Sequence, residues 1–192
     1  MRLWLVRHAQ PLVPAGVCYG ASDVPADAAA TQDCAAQLAP ALPVGISLLS
    51  SPLQRCAQLA QELQRLRPDV SLRTDARLAE MDFGCWEGQP WDAIPRDAYD
   101  VWTADFGAHR FGGRESVDEL MRRVAAVQAE TLREGRDAVW ITHAGVMRAM
   151  ALLAQGQMRV TQAQQWPRQA PHWGAWQVLE LQGAGVLGLK SQ

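Results

Sequence analysis

The chain of 192 residues is 48% hydrophobic and 20% charged, with a formal net charge of -2. These values exclude disorder as the default and a strongly basic nucleic-acid or anionic-membrane surface, and the length suits one domain, 1–192, with a substantial core. Cys18, Cys34, Cys56 and Cys85 lie far apart with no Cys-x-x-Cys pair, so metal-ligand spacing is absent and a reducing compartment fits.

Leu3 to Val6 is an unbroken apolar run that reads as a strand buried on both faces, ending in Arg7-His8-Ala9. It begins with no charged leader and apolar h-region ahead of it, and no later run is long enough to span a membrane; the expectation is a cytoplasmic protein. Pro11 to Pro25 is a Pro- and Gly-rich loop containing Tyr19, Gly20 and Asp23. Asp27 to Leu38 is helical in propensity, stopped by Pro40 and Pro43. Ile46 to Leu49 predicts a second strand. Ser51 as N-cap and Pro52 as first helical residue then predict a helix to about Arg67, with Arg55 in its first turn.

Val70 to Arg73 predicts a weak third strand, followed by a loop through Glu80 to Gly88. Residues 85–115 are irregular, with short aromatic helical pieces, and read as an excursion from the main sheet. Ser116 with Glu119 is a capping-box signature for a long helix that Gly135 ends. Ala138 to Thr142 is a second fully apolar strand, and it too ends in a histidine, His143; Ala144 and Gly145 then open another helix. Trp176 to Leu181 and Val186 to Leu189 predict closing strands. Strands alternating with helices predict an α/β fold, a three-layer α/β/α sandwich around a mostly parallel sheet.

In such a sheet the strand C-termini converge, which gathers Arg7, His8, Arg55, Glu80 and His143. Two arginines, two histidines and a carboxylate are the parts of a phosphate site with a nucleophile and an acid. Taken singly, each has a plainer reading: Arg7 in a surface ion pair, His143 as a satisfied core histidine, Asp23 as a turn former. Asp82 and Glu87 compete with Glu80 as the acid. His109 and His172 match no pattern. Trp86, Trp91 and Trp102 are more readily core packing than an aromatic platform for substrate.

Read in order, Leu5-Val6-Arg7-His8, Ser50-Ser51-Pro52-Leu53-Gln54-Arg55, Leu78-Ala79-Glu80 with Phe83-Gly84 and Trp86-Glu87-Gly88, Glu115-Ser116, and Thr142-His143-Ala144-Gly145-Val146-Met147-Arg148 resemble the histidine phosphatase superfamily. The likeness is to its branch of phosphoglycerate mutases and small-molecule phosphatases. The resemblance implies His8 as a nucleophile whose other ring nitrogen is held as N–H by a backbone carbonyl. Glu80 is implied as the acid that protonates the leaving group and later activates water, and Arg7, Arg55 and His143 as the phosphate ligands. Tyr19, Gly20, Asp23, Trp86 and Ala144 fall near substrate by the same resemblance. No metal and no cofactor are implied, since arginines take the place of a divalent cation; the excursion is expected to cover the site.

The sequence departs from the family pattern at Ala9, Gln10, Pro11 and Pro14, where glycine, an acidic-hydroxyl pair and a phosphate-binding asparagine are common, and at Ala144. A missing phosphate contact weakens a mutase. The expectation is therefore a phosphomonoesterase for a small phosphorylated metabolite, with α-ribazole 5'-phosphate of cobalamin synthesis as the closest named substrate. Phosphoglycerate mutase, a low-turnover phosphate-binding protein and a phosphoprotein phosphatase are the alternatives; neither nucleic acid nor membrane is an expected partner.

Overall fold

A computed structural model describes residues 1–169, 171–182 and 185–191. Its sheet has six strands in the order β3-β2-β4-β1-β5-β6. These are β1 (Arg2–Arg7), β2 (Ser47–Ser50), β3 (Ser71–Thr74), β4 (Ala138–Thr142), β5 (Trp176–Gln182) and β6 (Gly185–Ser191). The first four pair in parallel, while β5 runs antiparallel to β1 and β6 antiparallel to β5. The helices are α1 (Ala28–Leu38), α2 (Gln54–Leu66), α3 (Arg96–Ala104), α4 (Val117–Glu134) and α5 (Ala144–Ala154).

Alternation along the strands decides which helix covers which face. Leu3 and Leu5 of β1, Leu49 of β2 and Trp140 of β4 pack with Leu120, Val124 and Val127 of α4 and Val146 and Met150 of α5. Trp4, Val6, Leu48, Val139 and Ile141 pack on the opposite face with Ala35 and Leu38 of α1 and Leu59 and Leu63 of α2. The expected three-layer sandwich is observed. β1 and β4 are apolar on both sides because helices cover both sides, and each buried Leu or Ile contributes about 1.5–3 kcal/mol.

Local signals are met at α1, where Asp27 caps by accepting from Ala30 N–H, and at α4, which has the Ser116–Glu119 capping box and ends at Gly135 with φ 65°. The second helix is a correction. It begins at Gln54 with Leu53 as N-cap rather than at Pro52. Ser51 N–H extends the sheet pairing to Ile141 O at 2.9 Å, and the Ser51 hydroxyl meets His143 and accepts from Leu53 N–H at 3.3 Å, so the chain bends at Pro52 and Leu53 before the helix begins. The start of α2 is instead held by a distant loop, with Gln54 N–H donating to Asp23 Oδ1 at 2.7 Å.

The excursion carries short turns at Gly84–Trp86 and Trp91–Ala93 and then α3. Its aromatic residues converge on Phe111, which is fully buried: Trp102 stacks at 4.3 Å between centroids, Trp86 lies at 5.8 Å and Trp91 at 6.4 Å. Those three tryptophans are core packing of the excursion. Backbone bonds Cys18 N to Gln89 O, Gly88 N to Cys18 O and Trp91 N to Gly16 O, each 2.8 Å, tie the excursion to the loop after β1. Among the described residues no helix is long and apolar enough to cross a membrane.

Candidate active site

Pairing with β4 continues one residue past the end of β1, His8 N–H donating to Thr142 O at 3.1 Å, and this sets His8 beside His143 with ring centroids 5.1 Å apart. His8 Nδ1 lies 2.7 Å from Ala9 O. A carbonyl only accepts, so Nδ1 carries the proton and the Nε2 lone pair is left available. Burial, aided by the charges of Arg55 and Arg7, pushes the His8 pKa down to about 3 against the opposing pull of the Ala9 carbonyl. His8 is therefore a neutral imidazole across the physiological range. Ala9 is itself buried, and its added methyl leaves this carbonyl contact in place.

Arg55 is fully buried in the first turn of α2. Its Nε donates to His143 Nδ1 at 3.2 Å, Nη1 to Ser22 O at 2.7 Å and Nη2 to Gly20 O at 2.6 Å, with the Tyr19 ring 5.4 Å from its Cζ. Loop carbonyls thus fix the guanidinium plane. Because Nδ1 of His143 accepts, its proton sits on Nε2, which meets Ser51 Oγ at 2.8 Å. Burial first, and then the Arg55 charge, hold His143 well below an ordinary histidine.

Glu80 stands on the loop after β3, where Oε2 accepts from Gly145 N–H at 2.9 Å and Oε1 from Met81 N–H at 3.0 Å. The first contact places it at the start of α5, one residue beyond Ala144. A Cβ on Gly145 would stand 2.2 Å from Glu80 Oε1, so glycine there is what lets the carboxylate approach the helix end. Arg123 steadies the same loop by donating to Arg77 O and Ala79 O, both at 2.6 Å, while pairing with Glu115. Glu80 also lines an open cavity of about 560 Å³ with Ala21, Asp82 and Arg114.

Arg7 sends Nη1 to Pro171 O at 2.8 Å and lies 5.5 Å from the Trp173 ring, while its Nε is buried without a partner. The structure thus brings together Arg7, His8, Arg55, His143 and, through Gly145, Glu80. Of the residues expected near substrate, Tyr19 and Gly20 contact Arg55 and Ala144 starts α5. Asp23 instead holds the α2 terminus, and Trp86 packs on Phe111. Glu87 is not a free acid: Oε1 accepts from Ala21 and Phe83 N–H and Oε2 from Ser22 N–H, clamping the loop that cradles Arg55. Asp82 accepts from Gly84 N–H and faces Arg114 at 3.9 Å. Pro14 is exposed in a turn.

Residues 3–187 match the Histidine phosphatase superfamily (branch 1). The chain belongs to that family. Among curated relatives, the bifunctional protein Rv2228c of Mycobacterium tuberculosis is 37% identical over 103 residues, 52% of this chain and 25% of that protein. The chain therefore aligns with about a quarter of that relative's length. A phosphoglycerate mutase from Thermus thermophilus superposes with a TM-score of 0.73 at 29% identity, covering 100% of this chain and 99% of that one. A mycobacterial glucosyl-3-phosphoglycerate phosphatase superposes with a TM-score of 0.80 at 21% identity, covering 99% and 97%, a likeness of fold.

Within this histidine phosphatase fold, sequence reasoning missed the supporting residues Ser51, Ser22, Arg123 and Gly145 and the clamping role of Glu87. Ser51 is visible in the sequence as a polar residue at a strand end, but the helix-cap pattern accounts for it equally well. The rest depend on contacts between distant segments.

Proposed function

We propose that the protein is a metal-independent phosphomonoesterase acting through a phosphohistidine. The observation that carries this reading is the hydrogen bond from His8 Nδ1 to Ala9 O, which leaves Nε2 unprotonated near Arg7 and Arg55, with Glu80 held at the start of the helix that follows His143. Nε2 attacks phosphorus in line, the P–O ester bond breaks, and the leaving oxygen takes a proton from the Glu80 carboxyl. Glu80, now a carboxylate, accepts a proton from water as the water oxygen attacks phosphorus. The P–N bond breaks, releasing inorganic phosphate and restoring neutral His8 and protonated Glu80. Arg7 and Arg55 orient the phosphoryl oxygens and stabilise their charge, while His143, expected as a further phosphate ligand, has both ring nitrogens taken by Arg55 and Ser51 and positions Arg55.

The substrate is a small phosphorylated metabolite. The resemblance of Tyr19 to Asp23 and Phe83 to Gly88 to small phosphatases points to α-ribazole 5'-phosphate, an ester with an uncharged leaving group; phosphoglycerates are the anionic counterpart. Purified protein, with chelator present, is tested against both classes and p-nitrophenyl phosphate. Phosphate release lost in His8→Ala, with acid-labile phosphate trapped on wild-type protein, supports the reading. Chelator-sensitive activity, or activity retained by His8→Ala, overturns it.

A further inference from the structure

One short segment ahead of β5 holds both residues at the end of β1. Arg7 N–H donates to Ala175 O and Gly174 N–H donates to His8 O, both at 3.0 Å, which continues the antiparallel pairing beyond Val6 and Trp176. Gly174 O in turn accepts from Cys34 Sγ of α1 at 3.3 Å. From this anchored segment two groups reach the Arg7 side chain. Pro171 O accepts from Nη1 at 2.8 Å, and Cζ sits over the Trp173 ring, 5.5 Å from its centroid.

Core packing does not account for Trp173. It is 46% exposed, belongs to neither hydrophobic core among the described residues, and lines an open cavity of about 640 Å³ beside Asp33 and Cys34 of α1. An indole in that position gains little from burial. What its ring does meet is a guanidinium, and an aromatic face within about 6 Å of a cation attracts it through the ring quadrupole. The two contacts restrain Arg7 differently: the carbonyl fixes the direction of one terminal nitrogen, and the ring supports the face of the guanidinium. Among the described residues Nη2 has no partner, so it is left for a phosphoryl oxygen.

We infer that Trp173 is a positioning residue for Arg7, holding the guanidinium in its phosphate-binding orientation before substrate arrives. The inference rests on the phosphomonoesterase reading, in which Arg7 binds the phosphoryl group. A long cationic side chain that is free in solvent gives up its rotamer freedom when it grips an anion, whereas one already held does not. The effect of Trp173 on turnover therefore passes through Arg7 and depends on an aromatic face, not on apolar bulk.

The test compares Trp173→Phe, Trp173→Leu and Trp173→Ala with the wild type, each alone and combined with Arg7→Gln. Turnover of p-nitrophenyl phosphate and calorimetric binding of inorganic phosphate are measured on the full-length proteins, with urea unfolding to show that each is folded. In the Leu and Ala variants kcat/KM and phosphate affinity are expected to fall on the order of threefold to thirtyfold, and Phe is expected to retain most of both. In the Arg7→Gln background the same substitutions are expected to change kcat/KM by no more than about twofold. Equal losses in Phe and Leu, or an undiminished loss in the Arg7→Gln background, make Trp173 a packing residue and overturn the inference. The contrast of Phe with Leu decides the matter even where Arg7→Gln leaves no measurable turnover. If no ester is turned over but phosphate affinity is lost in Leu and kept in Phe, the phosphatase reading falls and the positioning of Arg7 stands. A wild type without phosphate affinity overturns both.

Discussion

Arg55 Nε and His143 Nδ1 share a buried hydrogen bond of 3.2 Å, and through it one residue sets the protonation of the other. Guanidinium only donates, so Nδ1 keeps its lone pair and the His143 proton is confined to Nε2, at Ser51. The pair is further framed by the carbonyls of Gly20 and Ser22, which Glu87 holds in place from the excursion. The chain of contacts from Glu87 to Arg55 to His143 explains why segments far apart in sequence act on one pocket.

Removing the Ser51 hydroxyl leaves a buried imidazole N–H with only the weak acceptor Cys56 Sγ, 3.4 Å from Nε2. Ser51→Ala is expected to lower stability by about 1–3 kcal/mol, the penalty for an unsatisfied buried donor. Urea unfolding at pH 7 measures it. A variant as stable as wild type would mean that the sulfur replaces the hydroxyl in full.

Glu80→Gln keeps an acceptor for Gly145 and Met81 N–H but has no proton to give. Turnover of an alkyl phosphate is expected to fall about 10²–10⁴-fold. p-Nitrophenyl phosphate, whose leaving group needs no acid, is expected to give a rapid burst of about one nitrophenolate per enzyme and then stall at phosphohistidine, because water lacks its base. Rapid-quench kinetics shows the burst; linear turnover from time zero counts against Glu80 in both roles.

Gly145→Ala places a methyl against Glu80 Oε1, the far end of a flexible side chain rather than backbone. The fold is expected to survive and the carboxylate to move. A displacement of about 1 Å lowers kcat by roughly 10²-fold. Circular dichroism alongside alkyl-phosphate turnover separates this from unfolding, and unchanged kcat in a folded variant would refute the placement of Glu80.

His8 has a folded-state pKa of about 3, and His143 lies well below its ordinary 6.5, both chiefly because of burial. The unfolded chain takes up protons at these positions at about pH 6.5, which the native state refuses. Stability is thus full above that pH and lost as pH falls toward about 3. Two such groups give a slope of about 2.7 kcal/mol per pH unit below about pH 6. Urea midpoints from about pH 7 down to about pH 5 test it, with His8→Gln expected to remove about half the slope. A flat profile in the wild type would show that the native histidines do titrate.

The layered α/β fold and the cast of the site are legible in the amino-acid order alone, because both depend on short-range signals. Apolar runs such as Leu3 to Val6 and Ala138 to Thr142 can only be satisfied when covered on both faces, and the polar residues that end them must then meet at one edge of the sheet. The capping box at Ser116 and the stop at Gly135 are local for the same reason. The start of α2 is misplaced by local reasoning because the Ser51 hydroxyl, besides accepting from Leu53 N–H two residues on, meets His143 across the sheet, and Leu53 rather than Ser51 is the last non-helical residue. Asp23 caps that helix from a separate loop, and Glu87 clamps a loop rather than acting as an acid. These assignments come from the packed molecule, since a polar side chain with several partners in reach takes the one that burial makes costliest to leave unpaired, and sequence spacing carries no record of that choice.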